Sequence, residues 1–272
     1  MTATDEALAR EALRCGELTI LGRIRSASNA TFLCEATWSE LTVHCVYKPV
    51  AGEQPLWDFP DGTLAGRELG SYLVSAALGW NIVPYTIIRD GPAGPGMLQQ
   101  WVDQPGDSED AEPQRPDLVD ICPPGSIPPG YLSVLHAYDY AGNEVTLVHA
   151  DDPRLRRMAV FDVIVNNADR KGGHILAGVD GRVYGVDHGV SLHVQDKLRT
   201  VLWGWAGKPI DEETLESVAD LGTQLAGPLG DQLREYISPA EVAALRRRIR
   251  MLLAEPVMPG PDRHRPIPWP AF

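Results

Sequence analysis

Asn166-Asn167-Ala168-Asp169-Arg170-Lys171-Gly172-Gly173-His174, followed shortly by Asp187-His188-Gly189, is the part of the chain on which the reading of the fold turns. The two acidic residues lie on loops separated by one predicted hairpin, whose turn is Val179-Asp180-Gly181-Arg182. Gly172 and Gly173 allow the first loop to turn tightly, and the hairpin brings Asp169 and Asp187 toward each other. Phosphoryl transfer from a nucleotide needs such a pair. One carboxylate meets the attacking hydroxyl, while the second, with a neutral neighbour, holds a divalent ion on the phosphates.

Upstream of this unit, Asp152 and Pro153 suit the cap and first turn of a helix whose buried stripe is Leu155, Met158, Phe161 and Val165. The helix is expected to end close to Asn166 and to present the Asp169 loop from a rigid support. Before it, Leu132–Tyr138 and Glu144–His149 read as a hairpin around Ala141-Gly142-Asn143. Beyond Trp205, residues 211–236 and 239–254 read as helices, the second opened by the capping box Ser238-Pro239-Ala240-Glu241. From Pro256 the chain is Pro-rich, ends in Trp269 and Phe272, and is expected to dock extended against a lobe or a protein partner.

The first hundred residues are patterned differently. A short helix over 4–15 precedes strands between Thr19 and Lys48, in which Phe32, Cys34 and Ala36 share one face and Val43, Cys45 and Tyr47 another. Between them Ser26-Ala27-Ser28-Asn29-Ala30-Thr31 is a turn of small residues able to offer backbone N–H groups to an anion. Apolar spacing predicts a helix over Leu64–Leu78 stopped by Gly79, and strands over Ile82–Ile88 and Met97–Val102. The lobe is expected to end near Asp103. Residues 104–130, rich in Pro, Asp and Glu, read as an exposed loop or partly disordered insert.

Lys48 closes a predicted strand, and Glu68 lies early in the following helix, an arrangement that lets a carboxylate orient a phosphate-gripping lysine. Taken singly, Lys48 is an edge lysine, Glu68 a solvated helix residue and Asp169 a turn residue. The reading rests on their occurring together with Asp187. Arg67 is assigned to the outer face of its helix, His188 and His193 to ordinary surface or core positions, and the seven tryptophans to the core or a lobe interface.

The chain has 272 residues, 44% of them apolar, enough for a large domain or two lobes sharing a cleft. Its net charge of -13 works against binding nucleic acid or an anionic membrane, so a nucleotide would arrive as its metal complex. The four cysteines show neither CxxC nor zinc-ligand spacing, and Cys34 and Cys45 read as core residues, which fits a reducing cytoplasm. Asp5, Glu6 and Glu11 occupy the region where a signal peptide would be basic.

With these residues assembled, the sequence resembles the phosphatidylinositol 3-/4-kinase-like superfamily that includes the HipA-type serine kinases, and is most similar to a bacterial branch of it. The resemblance covers most of the chain. It rests on residues 167–174 and 187–189, Lys48 and the Glu68 helix, in the family's order. It implies an α+β, two-lobed, atypical protein-kinase-like fold, with an N-terminal nucleotide-binding lobe over 1–103 and a mainly helical catalytic lobe over 104–272. ATP and Mg²⁺, or Mn²⁺, would lie between the lobes.

In that comparison Asp169 is the catalytic-loop aspartate, Asp187 a metal ligand, Lys48 the phosphate-binding lysine and Glu68 its orienting partner. Ser28 and Asn29 belong to the phosphate-covering turn, and Gln100, Trp101 and Val102 face adenine. The family pattern Asp-Arg-His-x-x-Asn is altered here: Lys171 replaces the histidine and His174 the metal-binding asparagine. Imidazole is a softer ligand than an amide oxygen and favours Mn²⁺ or Zn²⁺ over Mg²⁺, and Asn166 or Asn167 is available as a substitute. Three functions follow as expectations. The first is a kinase acting on a hydroxyl of a protein or small soluble acceptor. The second is a nucleotide-binding pseudokinase that recruits a protein through its acidic insert and Pro-rich tail. The third, a metal-dependent hydrolase, leaves Lys48 and Glu68 unexplained.

Overall fold

The computed structural model describes residues 3–24, 27, 29–105 and 117–272. It is an α+β structure whose sheets are antiparallel, with six α-helices among the described residues. Helix α1 (Ala3–Cys15) leads into β1 (Glu17–Arg23), β2 (Phe32–Trp38) and β3 (Leu41–Pro49), which join β4 (Thr86–Gly91) and β5 (Gly94–Gln100) in the order β1-β2-β3-β5-β4. The alternation read from sequence sets the register, since Phe32 faces Tyr47, Cys34 faces Cys45 and Ala36 faces Val43. Cys34, Ala36, Cys45 and Tyr47 are all fully buried and pack with Leu13 and Leu98 as one apolar cluster. Burial pushes the two thiols up, Cys34 to about 11 and Cys45 to about 12, so both are protonated and unreactive as nucleophiles.

Helix α2 (Leu64–Ala77) is held at its start twice over. Thr63 Oγ1 accepts from Gly66 N at 2.9 Å, and the Glu53 carboxylate accepts from Leu64 N and Ala65 N at 2.9 and 2.8 Å. Anionic oxygen at a helix N-terminus is favoured by the peptide dipoles. The helix ends at Leu78, and Gly79 follows at φ +69, as the stop signal requires. Its neighbour Arg67 corrects the outer-face assignment. The guanidinium is buried, 2.6 Å from Glu241 Oε1, and donates to the Ser191 and Asp61 carbonyls at 2.8 Å each. A partner 174 positions away leaves no mark on local spacing.

The remaining elements, together with Val74 of α2 and Leu78, Ile82 and Val83 just after it, form a second, larger cluster. Strands β6 (Val119–Cys122), β8 (Glu144–Ala150) and β7 (Tyr131–Tyr138) make a three-stranded sheet, so the expected hairpin is present and part of the expected 104–130 insert is a strand. Val119 and Cys122 are buried by pairing with β8, a nonlocal stabilisation that outweighs the polar composition around them. Helix α3 (Pro153–Val165) starts on an Asp152 cap and buries Leu155, Met158, Phe161 and Val165. Helices α4 (Glu212–Gln224), α5 (Pro228–Leu233) and α6 (Pro239–Ala254) follow, the last with its capping box formed. The single helix expected over 211–236 is broken at Gly227-Pro228, where proline starts a new helix without an N–H to continue the old one. The strand expected from Ile82 begins at Thr86, because Ser75 Oγ takes the Ile82 and Val83 N–H groups at 2.9 and 3.1 Å before Pro84.

The residues after Met258 run over this second cluster: Trp203 Nε1 and Thr200 N both donate to Pro266 O at 3.0 Å. Trp203 and Trp205 are buried as expected, whereas Trp57 (92% exposed) and Trp269 (81% exposed) correct the assignment of every tryptophan to an interior. No helix among the described residues is long and apolar enough to cross a membrane.

Candidate functional site

Lys48, near the end of β3, reaches across to two carboxylates from different parts of the fold. Its Nζ lies 2.7 Å from Glu68 Oε1 on α2 and 2.8 Å from Asp187 Oδ1, in the loop after β10 (Val183–Gly185). Glu68 is spent on this task, since its other oxygen accepts from His188 N at 2.9 Å. Burial works against the Lys48 charge, but the adjoining Asp187 and Glu68 carboxylates more than offset it and hold the ammonium pKa above its ordinary value. Lys48 in turn pulls the Asp187 carboxyl well below the usual carboxylate range. Burial drives the Glu68 carboxyl upward, with Lys48 opposing.

The Asp169 loop begins where Asn166 turns left-handed at φ +54 and ends α3. Asn167 Oδ1 accepts from Asp169 N at 3.0 Å, and the hairpin of β9 (Ile175–Ala177) and β10 closes the unit, as its turn residues require. Asp169 is pushed up by burial, opposed by Lys171, whose Nζ is 3.4 Å from Oδ2. Behind the loop, Arg170 and Asp162 form a fully buried ion pair that also gathers Asn167, Thr200 and His188. His188 Nε2 takes a 2.6 Å bond from Arg170, and burial holds that imidazole neutral. His193 is likewise buried, its ring edge against Phe59.

Lys48, Glu68, Asp169 and Asp187 line one cavity of about 260 Å³. Its other walls are Ala27–Thr31 without Ser28, the Glu53–Leu56 segment, Leu64 and Ala65 of α2, and Gly189-Val190. Asn29, assigned to the covering turn, lines the cavity and accepts from Gln54 N at 2.9 Å. Ser28 lies outside the described residues. Gln100, Trp101 and Val102 do not line this cavity. The Gln100 and Trp101 N–H groups are already bonded to the Tyr85 and His44 carbonyls at 2.9 and 3.0 Å, which leaves neither free for an adenine edge.

The cavity's Glu53, Gln54 and Leu56 escaped the sequence reading. A carboxylate eleven residues before the helix it caps carries no recognisable spacing. Asp162 was missed too, although its place beside Met158, Phe161 and Val165 on a buried stripe is a signal that a carboxylate is held inside.

The donor set at Asp187 suits a cation. His174 Nδ1 lies 2.9 Å from the Asp169 carbonyl, an arrangement that requires the proton on Nδ1, and burial lowers the imidazole pKa to about 4, so the ring is neutral. Nε2 then carries a lone pair 3.4 Å from Asp187 Oδ2, which is also only an acceptor. Two acceptors facing each other at that distance fit a metal ion between them. Among the described residues no group of three or more His, Cys, Asp or Glu side chains is placed to hold a metal, so nucleotide phosphates and water would have to supply the remaining ligands, as is usual for Mg²⁺. Asn166 and Asn167 cannot substitute. Asn166 is taken up by the His193 and Gln195 carbonyls and Lys197 N, and Asn167 by Asp162 and Asp169 N.

The Pro-rich tail meets this site. Gly172 N donates to Ala271 O at 2.8 Å, and the Phe272 ring occupies the space a side chain at Gly172 would need, 2.5 Å from where its Cβ would be. The tail therefore packs on a glycine of the Asp169 loop of its own chain.

No family model matches the sequence. A protein of Mycobacterium tuberculosis (strain ATCC 25618 / H37Rv), Protein Rv2133c, is 69% identical over 273 residues, an alignment covering 100% of this chain and 98% of that protein. At that identity and coverage, the chain belongs to the same family as Protein Rv2133c.

Proposed function

We propose that this protein is an ATP-dependent phosphotransferase that moves the γ-phosphoryl group to a hydroxyl of a soluble acceptor. The observation that carries the reading is the convergence of residues 48, 68, 169 and 187 on one cavity, with Lys48 bridging Glu68 and Asp187 at 2.7 and 2.8 Å. The two separate apolar clusters support a two-lobed, kinase-like arrangement with this cavity between them. Free cysteines at all four positions support a cytoplasmic setting.

In this reading Lys48 binds nucleotide phosphate and Glu68 keeps it aimed. Asp187 and His174 would hold Mg²⁺ or Mn²⁺, which when bound would offset charge on the phosphates. Asp169 takes the proton of the acceptor hydroxyl while its oxygen bonds to the γ-phosphorus, the bond to the β,γ-bridging oxygen breaks, and ADP leaves. Burial has already raised the Asp169 carboxyl toward the range of a useful base.

The second reading is a nucleotide-binding pseudokinase. The departures at Lys171 and His174, with Asp169 held by Lys171, favour it. One titration separates the two. ATP with Mg²⁺ or Mn²⁺ is expected to raise the melting temperature of both a kinase and a pseudokinase, by the equivalent of about 2.7 kcal/mol at a hundredfold excess over Kd, and Lys48→Met is expected to abolish the rise. Transfer of label from γ-labelled ATP to a hydroxyl acceptor, absent in Asp169→Asn, then marks the kinase. No stabilisation by any nucleotide–metal pair would overturn both readings.

A further inference from the structure

Arg170 and Thr200 lie opposite each other in an isolated parallel bridge, with Arg170 N donating to Arg199 O at 3.0 Å, Arg199 N to Asn167 O at 2.9 Å and Val201 N to Arg170 O at 3.1 Å. The segment around Arg199 is thus laid edge to edge against the Asp169 loop. Both residues of the bridge turn their side chains to the same buried carboxylate: Arg170 Nε is 3.0 Å from Asp162 Oδ2 and Thr200 Oγ1 is 3.3 Å from it. In extended pairing, neighbours along each segment point the opposite way. Asp169 and Arg199, each one residue earlier, therefore share the face away from Asp162.

The charges agree with this placement. Burial pushes the Asp169 carboxyl up, with Arg199 a minor opposing cation beside Lys171, and Arg199 adds in a small way to the lowering of Asp58 that Lys197 brings about against burial. Around it, Lys171 is paired with Asp169 at 3.4 Å and Lys197 with Asp58 at 2.9 Å, the latter bond reaching the loop that also carries the cavity wall at Leu56. Three cations thus meet Asp58 and Asp169, with Asp187 also acting on Asp169, in a chain whose net charge is -13. Among the described residues the Arg199 guanidinium makes neither a hydrogen bond nor an ion pair, although it is only partly exposed. Its nitrogens are not among the buried atoms left without a partner, so the guanidinium is open to solvent and offers an incoming carboxylate or phosphate a rigid fork of N–H donors.

We propose that Arg199 forms an anion subsite on the acceptor side of Asp169, so that the molecule phosphorylated here is an alcohol bearing a carboxylate or phosphate group. This rests on the phosphotransferase reading for what the molecule is, but the subsite itself is tested by binding. A hydroxyl at Asp169 and an anionic oxygen group at Arg199 would fix the acceptor at two points, which orients it for attack.

The test uses the full chain and three probes of similar size: glycerate, glycerol 3-phosphate and uncharged glycerol, each titrated up to millimolar concentration by thermal shift and by calorimetry. At least one anionic probe is expected to bind, glycerol is not, and the choice between the two anions tells carboxylate from phosphate. Arg199→Gln is expected to weaken the anion about tenfold or more. Arg199→Lys keeps the charge without the fork and should fall between the two. Glycerol binding as well as the anions, no binding by any probe, or an unchanged affinity in Arg199→Gln would each overturn the proposal. ATP with Mg²⁺ is titrated in parallel. A missing ATP response with intact, Arg199-dependent anion binding would remove the phosphotransferase reading and leave the subsite standing.

Discussion

Asp162→Ala is expected to cost about 3–5 kcal/mol of stability, read as a fall of roughly 10 °C in the calorimetric melting temperature. Asp162 and Arg170 are both wholly inaccessible, and the carboxylate accepts from Arg170 Nε and NH2, Asn167 Nδ2 and Thr200 Oγ1 at 2.9–3.3 Å. Removing it strands a guanidinium in the interior, where an unpaired charge is far more costly than a lost contact. Replacing both partners, Asp162→Leu with Arg170→Met, is expected to recover much of the loss, since no lone charge remains buried. Recovery should be incomplete, because Arg170 also donates to the His174 and Val186 carbonyls at 3.2 and 3.1 Å and so ties the Asp169 loop to the Asp187 loop. A loss below about 1 kcal/mol for Asp162→Ala would show that the pair is dispensable to the fold.

Asp169→Asn is expected to lower phosphoryl transfer about 10²- to 10⁴-fold, the span usually lost when a positioned base is removed. Asparagine keeps the size of the side chain, and the backbone bond from residue 169 to Asn167 Oδ1 involves no side-chain atom of residue 169, so the loop should hold its shape. Lys48, Glu68 and Asp187 are untouched, and the thermal response to ATP with metal should persist within a few-fold of the wild-type affinity. Single-turnover measurement with labelled ATP separates the two effects. Transfer by the variant at the wild-type rate would remove Asp169 from the chemistry, and a lost nucleotide response would mean that it serves binding instead.

The parts of this molecule that were legible in sequence are those built from short-range regularity. Alternation gave the inward faces of β2 and β3, helical spacing gave α2 and α3, and turn residues gave the β9–β10 hairpin that joins Asp169 to Asp187. Asp169 and Asp187 were singled out by the local stretches 166–174 and 187–189, Lys48 and Glu68 by their order along the chain ahead of them, and all four line one cavity. What escaped was set by partners distant in the chain. Arg67 is buried because Glu241 and two backbone carbonyls await it. Val119–Cys122 is a strand because β8 offers an edge. The backbone N–H groups of Gln100 and Trp101 are taken because the Tyr85 and His44 carbonyls accept them. Glu53 reaches the cavity from a segment whose composition says nothing of where it folds.

Lys48 has one more consequence, for covalent chemistry. An amine attacks an electrophile through its lone pair, and the two carboxylates that grip Lys48 keep that pair occupied by a proton at neutral and mildly alkaline pH. Acylating reagents should therefore modify exposed Lys208 readily and spare Lys48, so that mass-spectrometric surveys of reactive lysines would pass over the residue at the centre of the site.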